Sequence, residues 1–189
     1  MYVHEPMAKR VVHLIRHGQY VTDADDPRYG NLTVLGRRQV RRLARVFADQ
    51  SIDDVHHSDW TRAQQTAALL GAALPSVRLR ESALLREGDP GSRGRKRTRA
   101  QAATRGRMDE AFSQFIRPCR GADRRELVVC HGNLIRYLVM RALDVPTGGW
   151  LRLVVAHCSI TTIVVVPTDL RVRCVNALGH LPEHQRTLV

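Results

Sequence analysis

The chain is expected to adopt an α/β fold, a three-layer sandwich with a mainly parallel central sheet flanked by helices. Short apolar runs rich in β-branched residues alternate with stretches of helical periodicity. Strands interleaved with helices argue for βαβ units and a sheet covered on both faces. The 189 residues suit one domain spanning 1–189, since single domains commonly run to roughly 100–200 residues.

Each element follows from its local pattern. Residues 11–15 read as a first strand, 52–58 as a second, 77–80 as a short third and 127–130 as a fourth. Residues 160–166 form the strongest β-branched run, which Pro167 stops. Residues 170–175 follow a turn at 167–169, so the last two strands are expected to pair as a hairpin. In the helix predicted for 34–48, Val40, Leu43 and Phe47 share one face, and Arg37, Arg38, Arg41, Arg42 and Arg45 crowd the other. Thr33 is its natural cap. Residues 61–73, 101–116 and 134–143 supply further helices. Residues 1–9 read as an N-terminal tail, and 88–107 as a mobile basic loop near the active site, running into a helix.

Composition narrows the partners. The net charge of +12 comes almost wholly from arginine, Lys9 and Lys96 being the only lysines. Such a balance favours acidic partners: phosphorylated substrates, nucleic acid or an anionic surface. Aromatics make up only 5%, which disfavours nucleic acid because single-strand binding leans on stacking. No apolar run approaches the roughly 20 residues of a membrane helix, and residues 1–9 hold no apolar leader core. A cytoplasmic protein with no membrane anchor is the resulting expectation. Cys119, Cys130, Cys158 and Cys174 lack metal or framework spacing and read as reduced, mostly buried side chains.

Two strand ends carry the chemistry. Arg16-His17-Gly18-Gln19 closes the first strand, and His131-Gly132-Asn133 closes the fourth. Ligands of open α/β sheets collect at the carboxyl edge. Neighbouring strands would bring both imidazoles together there, in reach of solvent, beside backbone N–H donors from the helix starting after His131. Arg62, after the second strand, suits a tetrahedral phosphate because its planar fork can bind two oxygens at once. Glu87, beside Gly88 after the third, is placed to shuttle a proton. His13, His56 and His57 have no carboxylate or cysteine partner at ligand spacing, so neither a metal nor another cofactor is expected.

These motifs resemble the histidine phosphatase superfamily, the phosphoglycerate-mutase-like fold. The matching residues are Arg16-His17-Gly18, Leu32-Thr33-x-x-Gly36-Arg37-x-Gln39, Ser58-x-x-Thr61-Arg62-Ala63-x-x-Thr66, Leu85-x-Glu87 and His131-Gly132. Within it, Arg16-His17-Gly18-Gln19-Tyr20, Leu84-Leu85-Arg86-Glu87-Gly88, His131-x-Asn133-x-Ile135-Arg136-Tyr137, Gly149-Trp150-Leu151-Arg152-Leu153 and Ser159-Ile160-Thr161 are similar to the mitochondrial serine/threonine phosphoprotein phosphatase branch.

The resemblance implies that His17 attacks phosphorus and that Arg16, Arg62 and His131 hold the phosphoryl oxygens, with Gly18 and Asn133 also at the substrate. Glu87 would protonate the leaving alkoxide and then activate water, a role that a raised pKa would serve. The expected activity is a metal-independent phosphomonoesterase acting on phosphoserine or phosphothreonine in proteins through phosphohistidine. The alternatives are a small-molecule phosphatase or mutase of the same fold, and a basic nucleic-acid-binding module with a degenerate site. The chain is short for a mutase and shows no long insertion to lid the site. A homodimer is left open. His157-Cys158 and the basic stretch after Glu87 depart from the branch, and its N-terminal anchor has no counterpart in residues 1–9.

Overall fold

The computed structural model describes residues 8–22, 25–26, 28–74, 76–92, 94 and 96–188. The elements follow the order β1 (Arg10–Arg16), α1 (Val34–Phe47), β2 (Asp54–His57), α2 (Thr61–Gly71), β3 (Arg78–Glu81), α3 (Arg99–Phe115), β4 (Arg124–Cys130), α4 (Gly132–Ala142), β5 (Ile160–Val166) and β6 (Asp169–Ala177). Short 3₁₀ turns occupy Ala83–Leu85, Thr147–Arg152 and Glu183–Gln185.

One six-stranded sheet results, in the order β3-β2-β4-β1-β5-β6. The four strands at the β3 end run parallel, while β5 is antiparallel to β1 and β6 to β5. The sheet is therefore mixed, and the expected hairpin of β5 and β6 forms. Helices cover both faces. Along β4, Val128 and Cys130 join Val12, Leu14 and the apolar sides of α3 and α4; Leu127 and Val129 join Ile15, Val55 and the inner sides of α1 and α2. Burial on both faces is why the central strands read as continuous apolar runs. β3, at the edge, is exposed throughout.

Local signals set the helix ends. Thr33 Oγ1 accepts the Gly36 N–H at 2.9 Å and starts α1, whose Val40, Leu43 and Phe47 are buried while Arg38, Arg41 and Arg45 face solvent. α3 starts at Arg99, two residues before the helix expected over 101–116 and inside the stretch 88–107 expected to be a loop running into a helix. A reciprocal capping box explains this: Thr98 Oγ1 accepts the Gln101 N–H, and Gln101 Oε1 accepts the Thr98 N–H. Arg93 and Arg95 of that stretch, and residues 1–7 of the N-terminal tail, lie outside the described residues. Cys130 and Cys158 are buried, whereas Cys119 and Cys174 are half-buried; none is in a disulfide.

His13 on β1 stacks against Phe47 at 5.1 Å, and its Nδ1 meets Thr162 Oγ1 at 3.0 Å. Burial, with Arg125 and Arg173 nearby, lowers its pKa from 6.5 to about 4. Between those values the unfolded chain holds a proton that the native chain does not, so this contribution is complete above pH 6.5 and is lost as pH falls towards 4. Urea midpoints should drop across that acid window, and His13→Leu should flatten the drop.

Candidate active site

Register builds the site. Arg16 on β1 lies opposite Cys130 on β4, so the next residue of each strand, His17 and His131, emerges at the same edge. Their ring centroids are 5.0 Å apart, and the His17 N–H donates to the Cys130 carbonyl at 3.1 Å. His17 Nδ1 lies 2.9 Å from the Gly18 carbonyl. A carbonyl only accepts, so Nδ1 carries the hydrogen and Nε2 keeps a lone pair. Arg62 Nε donates to that Nε2 at 3.1 Å. His131 Nε2 is 3.0 Å from Ser58 Oγ, directly after β2.

The loop carrying His17 is held from α1 and α2. Thr66 Oγ1 accepts the Gly18 N–H at 3.1 Å and donates to the Arg62 carbonyl at 2.7 Å, locking the His17 loop to the start of α2. Gln39 Oε1 accepts the Gln19 N–H at 2.9 Å, and Thr33 Oγ1 donates to Gln19 Oε1 at 2.7 Å. A Cβ on Gly36 would lie 2.0 Å from the Gln19 carbonyl oxygen, so only glycine permits this approach. The Thr33, Gly36 and Gln39 motif thus fixes the backbone just beyond His17 without touching its ring.

Glu87 is half-buried. Its carboxylate accepts the Gly88 N–H at 3.1 Å and the Asn133 N–H of the first turn of α4 at 3.3 Å. Burial raises its pKa above the ordinary carboxylate value, against the opposing pull of those N–H groups and of Arg16 and Arg62. Burial likewise drives His17 and His131 well below 6.5; His131, Arg62 and Arg16 add to the effect on His17, and Arg62, Arg16 and Arg107 to that on His131. Both imidazoles are neutral at physiological pH. The α4 N-terminus, expected to face an anion, donates its Asn133 N–H to Glu87. The Asn133 side chain bonds the Gly88 carbonyl and Arg136 rather than standing free for a ligand. Arg16 Nη1 donates to the carbonyls of Val155 and Leu188.

Solvent access differs from expectation. His17 is 2% exposed and His131 0%, because a cover of rings closes over them. Tyr20 packs edge-on to His17 at 5.0 Å and Trp60 to His131 at 4.9 Å, and the Arg62 guanidinium lies over both the Tyr20 and Trp60 rings. A third imidazole, His157, sits 5.4 Å from His17. Tyr20, Ser58, Trp60, Thr66 and His157 have places here that spacing alone does not disclose; β5 pairing with β1 brings in His157, whose only sequence signal is its departure from the branch pattern.

Comparison with known proteins places this geometry. A family model described as histidine phosphatase superfamily (branch 1) matches residues 12–112 and 101–178. The chain belongs to the histidine phosphatase superfamily. The mitochondrial serine/threonine-protein phosphatase Pgam5 of Caenorhabditis briggsae is 36% identical over 92% of this chain and 65% of its own length. The counterpart from Homo sapiens is 34% identical over 95% and 66%. This chain thus spans about two thirds of the length of the superfamily members it matches. Among solved structures, a phosphoglycerate mutase from Plasmodium falciparum aligns with a TM-score of 0.65 and 26% identity over 93% of this chain and 96% of the other. A putative α-ribazole-5'-P phosphatase from Escherichia coli, at 0.74 and 19% over 89% and 97%, shares the fold.

The relatives correct one expectation. Cytoplasmic location is overturned, since these protein phosphatase relatives are all named mitochondrial. Apolar content reports whether a segment can sit in a bilayer and carries no compartment address. Among the described residues no helix is long and apolar enough to cross a membrane.

Gly36→Ala should cost about 1–3 kcal/mol, the scale of overpacking, and lower turnover by shifting Gln19; thermal melts and steady-state rates check both. Imidazole titration followed by NMR should show His17 and His131 neutral well below pH 6.5.

Proposed function

We propose that the chain is a metal-independent phosphomonoesterase acting on phosphoserine and phosphothreonine in proteins, through a phosphohistidine on His17. The observation that carries this reading is the fixed tautomer: Nδ1 is tied to Gly18, leaving the Nε2 lone pair facing a guanidinium and beside a second imidazole. Buried polar atoms normally find partners. Arg16 Nε, His131 Nδ1 and His157 Nε2, all on side chains around His17, are buried without one. A tetrahedral oxyanion offers the acceptors that such donors require.

In this mechanism the phosphoryl group displaces Arg62 from His17 Nε2, and Arg16, Arg62 and His131 take its oxygens. Nε2 attacks phosphorus in line as the P–O bond to the leaving group breaks, and protonated Glu87 gives its proton to the departing alkoxide. The charge spreads over oxygens already faced by guanidinium groups. Glu87, now a carboxylate, takes a proton from water as its oxygen attacks the phosphorus of phospho-His17, releasing phosphate and restoring the neutral imidazole.

The protein phosphatase relatives support phosphoprotein substrates. A small-molecule phosphatase or mutase is the second reading, which the resemblance to a phosphoglycerate mutase favours. Pairing of two copies belongs to the proposal; the exposed Leu143, Leu151 and Val154 between α4 and β5 support it, and sedimentation of the purified chain checks it.

Turnover of p-nitrophenyl phosphate and phosphoserine peptides in EDTA should persist in the wild type. His17→Ala should lose on the order of 10⁶-fold, the scale of removing a nucleophile; equal turnover by both would end the covalent-histidine reading. Phosphopeptides should outcompete sugar phosphates in kcat/KM.

Glu87→Gln should cost roughly 10²–10⁴-fold on phosphopeptides yet still release a burst of p-nitrophenolate, a leaving group that needs no proton. The first step needs Glu87 protonated, so the wild-type kcat/KM should fall as pH rises through the raised Glu87 pKa. Because His17 is held below 6.5, no acid limb should appear near that value. Glu87→Gln should erase the alkaline limb.

A further inference from the structure

At the sheet edge opposite His17, the strands β1 to β4 begin around an open cleft of about 1100 Å³. β1 needs seven residues to run from Arg10 to Arg16, which at a rise near 3.3 Å per residue puts the two edges about 20 Å apart. Arg10, Arg78, Arg80, Arg117, Arg120 and Arg124 line the cleft, against three carboxylates, Asp54, Glu81 and Glu126. Its size is at the top of the roughly 300–1,000 Å³ range of small-molecule sites.

Internal ion pairing leaves positive charge over. The buried Asp54 accepts from Arg78 Nε at 2.9 Å, Arg80 Nε at 2.8 Å and Arg124 Nη2 at 2.6 Å. One carboxylate neutralises one guanidinium, yet three converge on it. The buried Glu126 is bound by Arg10 and lies 3.2 Å from Arg124. The Arg78 and Arg80 side chains stay 63% and 49% exposed. Arg117 and Arg120, on the exposed stretch after α3, make no ion pair with any described residue. One cleft nitrogen, Arg124 Nε, is buried without a hydrogen-bond partner, while His56 Nε2 lies 3.9 Å from Glu126 Oε1.

Asp54, His56 and Glu126 present ligand atoms within 4.8 Å of one another, which invites a cation; Asp54 lies two residues before His56 on β2, and Glu126 comes from the neighbouring β4. The guanidinium groups already fill those oxygens, and a divalent ion would enter a field dominated by positive charge. An anion fits instead. Among the described residues the only non-histidine aromatic ring in the lining, Phe115, is 1% exposed and packs edge-on to His56 at 5.1 Å. No face is open to a nucleobase, so recognition falls to phosphate oxygens and the forked donors of arginine.

We propose that this cleft is a second, non-catalytic anion site that binds the phosphate chain of an oligophosphate, whether free tripolyphosphate or the tail of a nucleoside triphosphate. The site is independent of the reading of His17, and its failure would leave that reading intact. The test is calorimetric titration of the full chain with tripolyphosphate and, separately, with ATP. Arg117→Ala/Arg120→Ala should weaken tripolyphosphate binding by about tenfold or more, the worth of a lost charge-assisted hydrogen bond, with p-nitrophenyl phosphate turnover unchanged. Arg38→Ala/Arg41→Ala, which removes equal charge from α1, should leave affinity unchanged, and ATP should bind comparably to tripolyphosphate. Three results would overturn the proposal: unchanged affinity in the Arg117/Arg120 variant, an equal loss in the α1 variant, or binding of ATP without tripolyphosphate.

Discussion

Parallel pairing of β1 with β4 is the constraint on which the site depends. The ladder sets Arg16 against Cys130, and each strand ends there with histidine next in line. Sheet geometry, rather than any side-chain contact, therefore brings imidazoles from distant parts of the chain to 5.0 Å. The flanking strands complete the arrangement. β2 delivers Ser58 and, through α2, Arg62, while β5 delivers His157. A one-residue slip between β1 and β4 would separate the two rings and turn Leu14 and Ile15 towards the wrong helical layers.

Dryness does opposite things to the two kinds of titratable group. Removing water disfavours the charged form of each, so the imidazoles stay neutral while Glu87 is biased towards the protonated acid. Arginine keeps its charge under the same conditions, although burial also lowers Arg16 and Arg62 from their ordinary value. The outcome is a fixed positive field around neutral imidazoles with a carboxyl biased towards its acid form beside them, the combination that the proposed in-line phosphoryl transfer needs. The Tyr20 and Trp60 rings, packed on Arg62, help to keep water from the two imidazoles.

The arginine excess divides by location. On α1 it solvates an outer helical face, as periodicity alone suggests. At the carboxyl edge Arg62 is buried and Arg16 half-buried. A third group gathers at the amino edge because β1 to β4 all start there, and four of its arginines converge on two buried carboxylates.

Much of the fold was legible. All six strands and four helices lie where period and punctuation put them, since burial on both sheet faces leaves unbroken apolar runs and burial on one helix face leaves a 3.6-residue stripe. α3 begins at Arg99, two residues ahead of the expected 101, because the Thr98–Gln101 capping box sets its first turn. Ring burial was missed because the cover is assembled from Tyr20, Trp60 and His157, residues with no common spacing. The Asp54, His56 and Glu126 grouping was half-hidden: Asp54 and His56 alternate along β2, but Glu126 joins them only through the pairing of β2 with β4. Local sequence determined the elements and the residue types at their ends, because these follow from neighbours along the chain. Tertiary structure alone decided strand order, which groups lost their water and which arginines found carboxylates, because each depends on contacts between residues far apart in the chain.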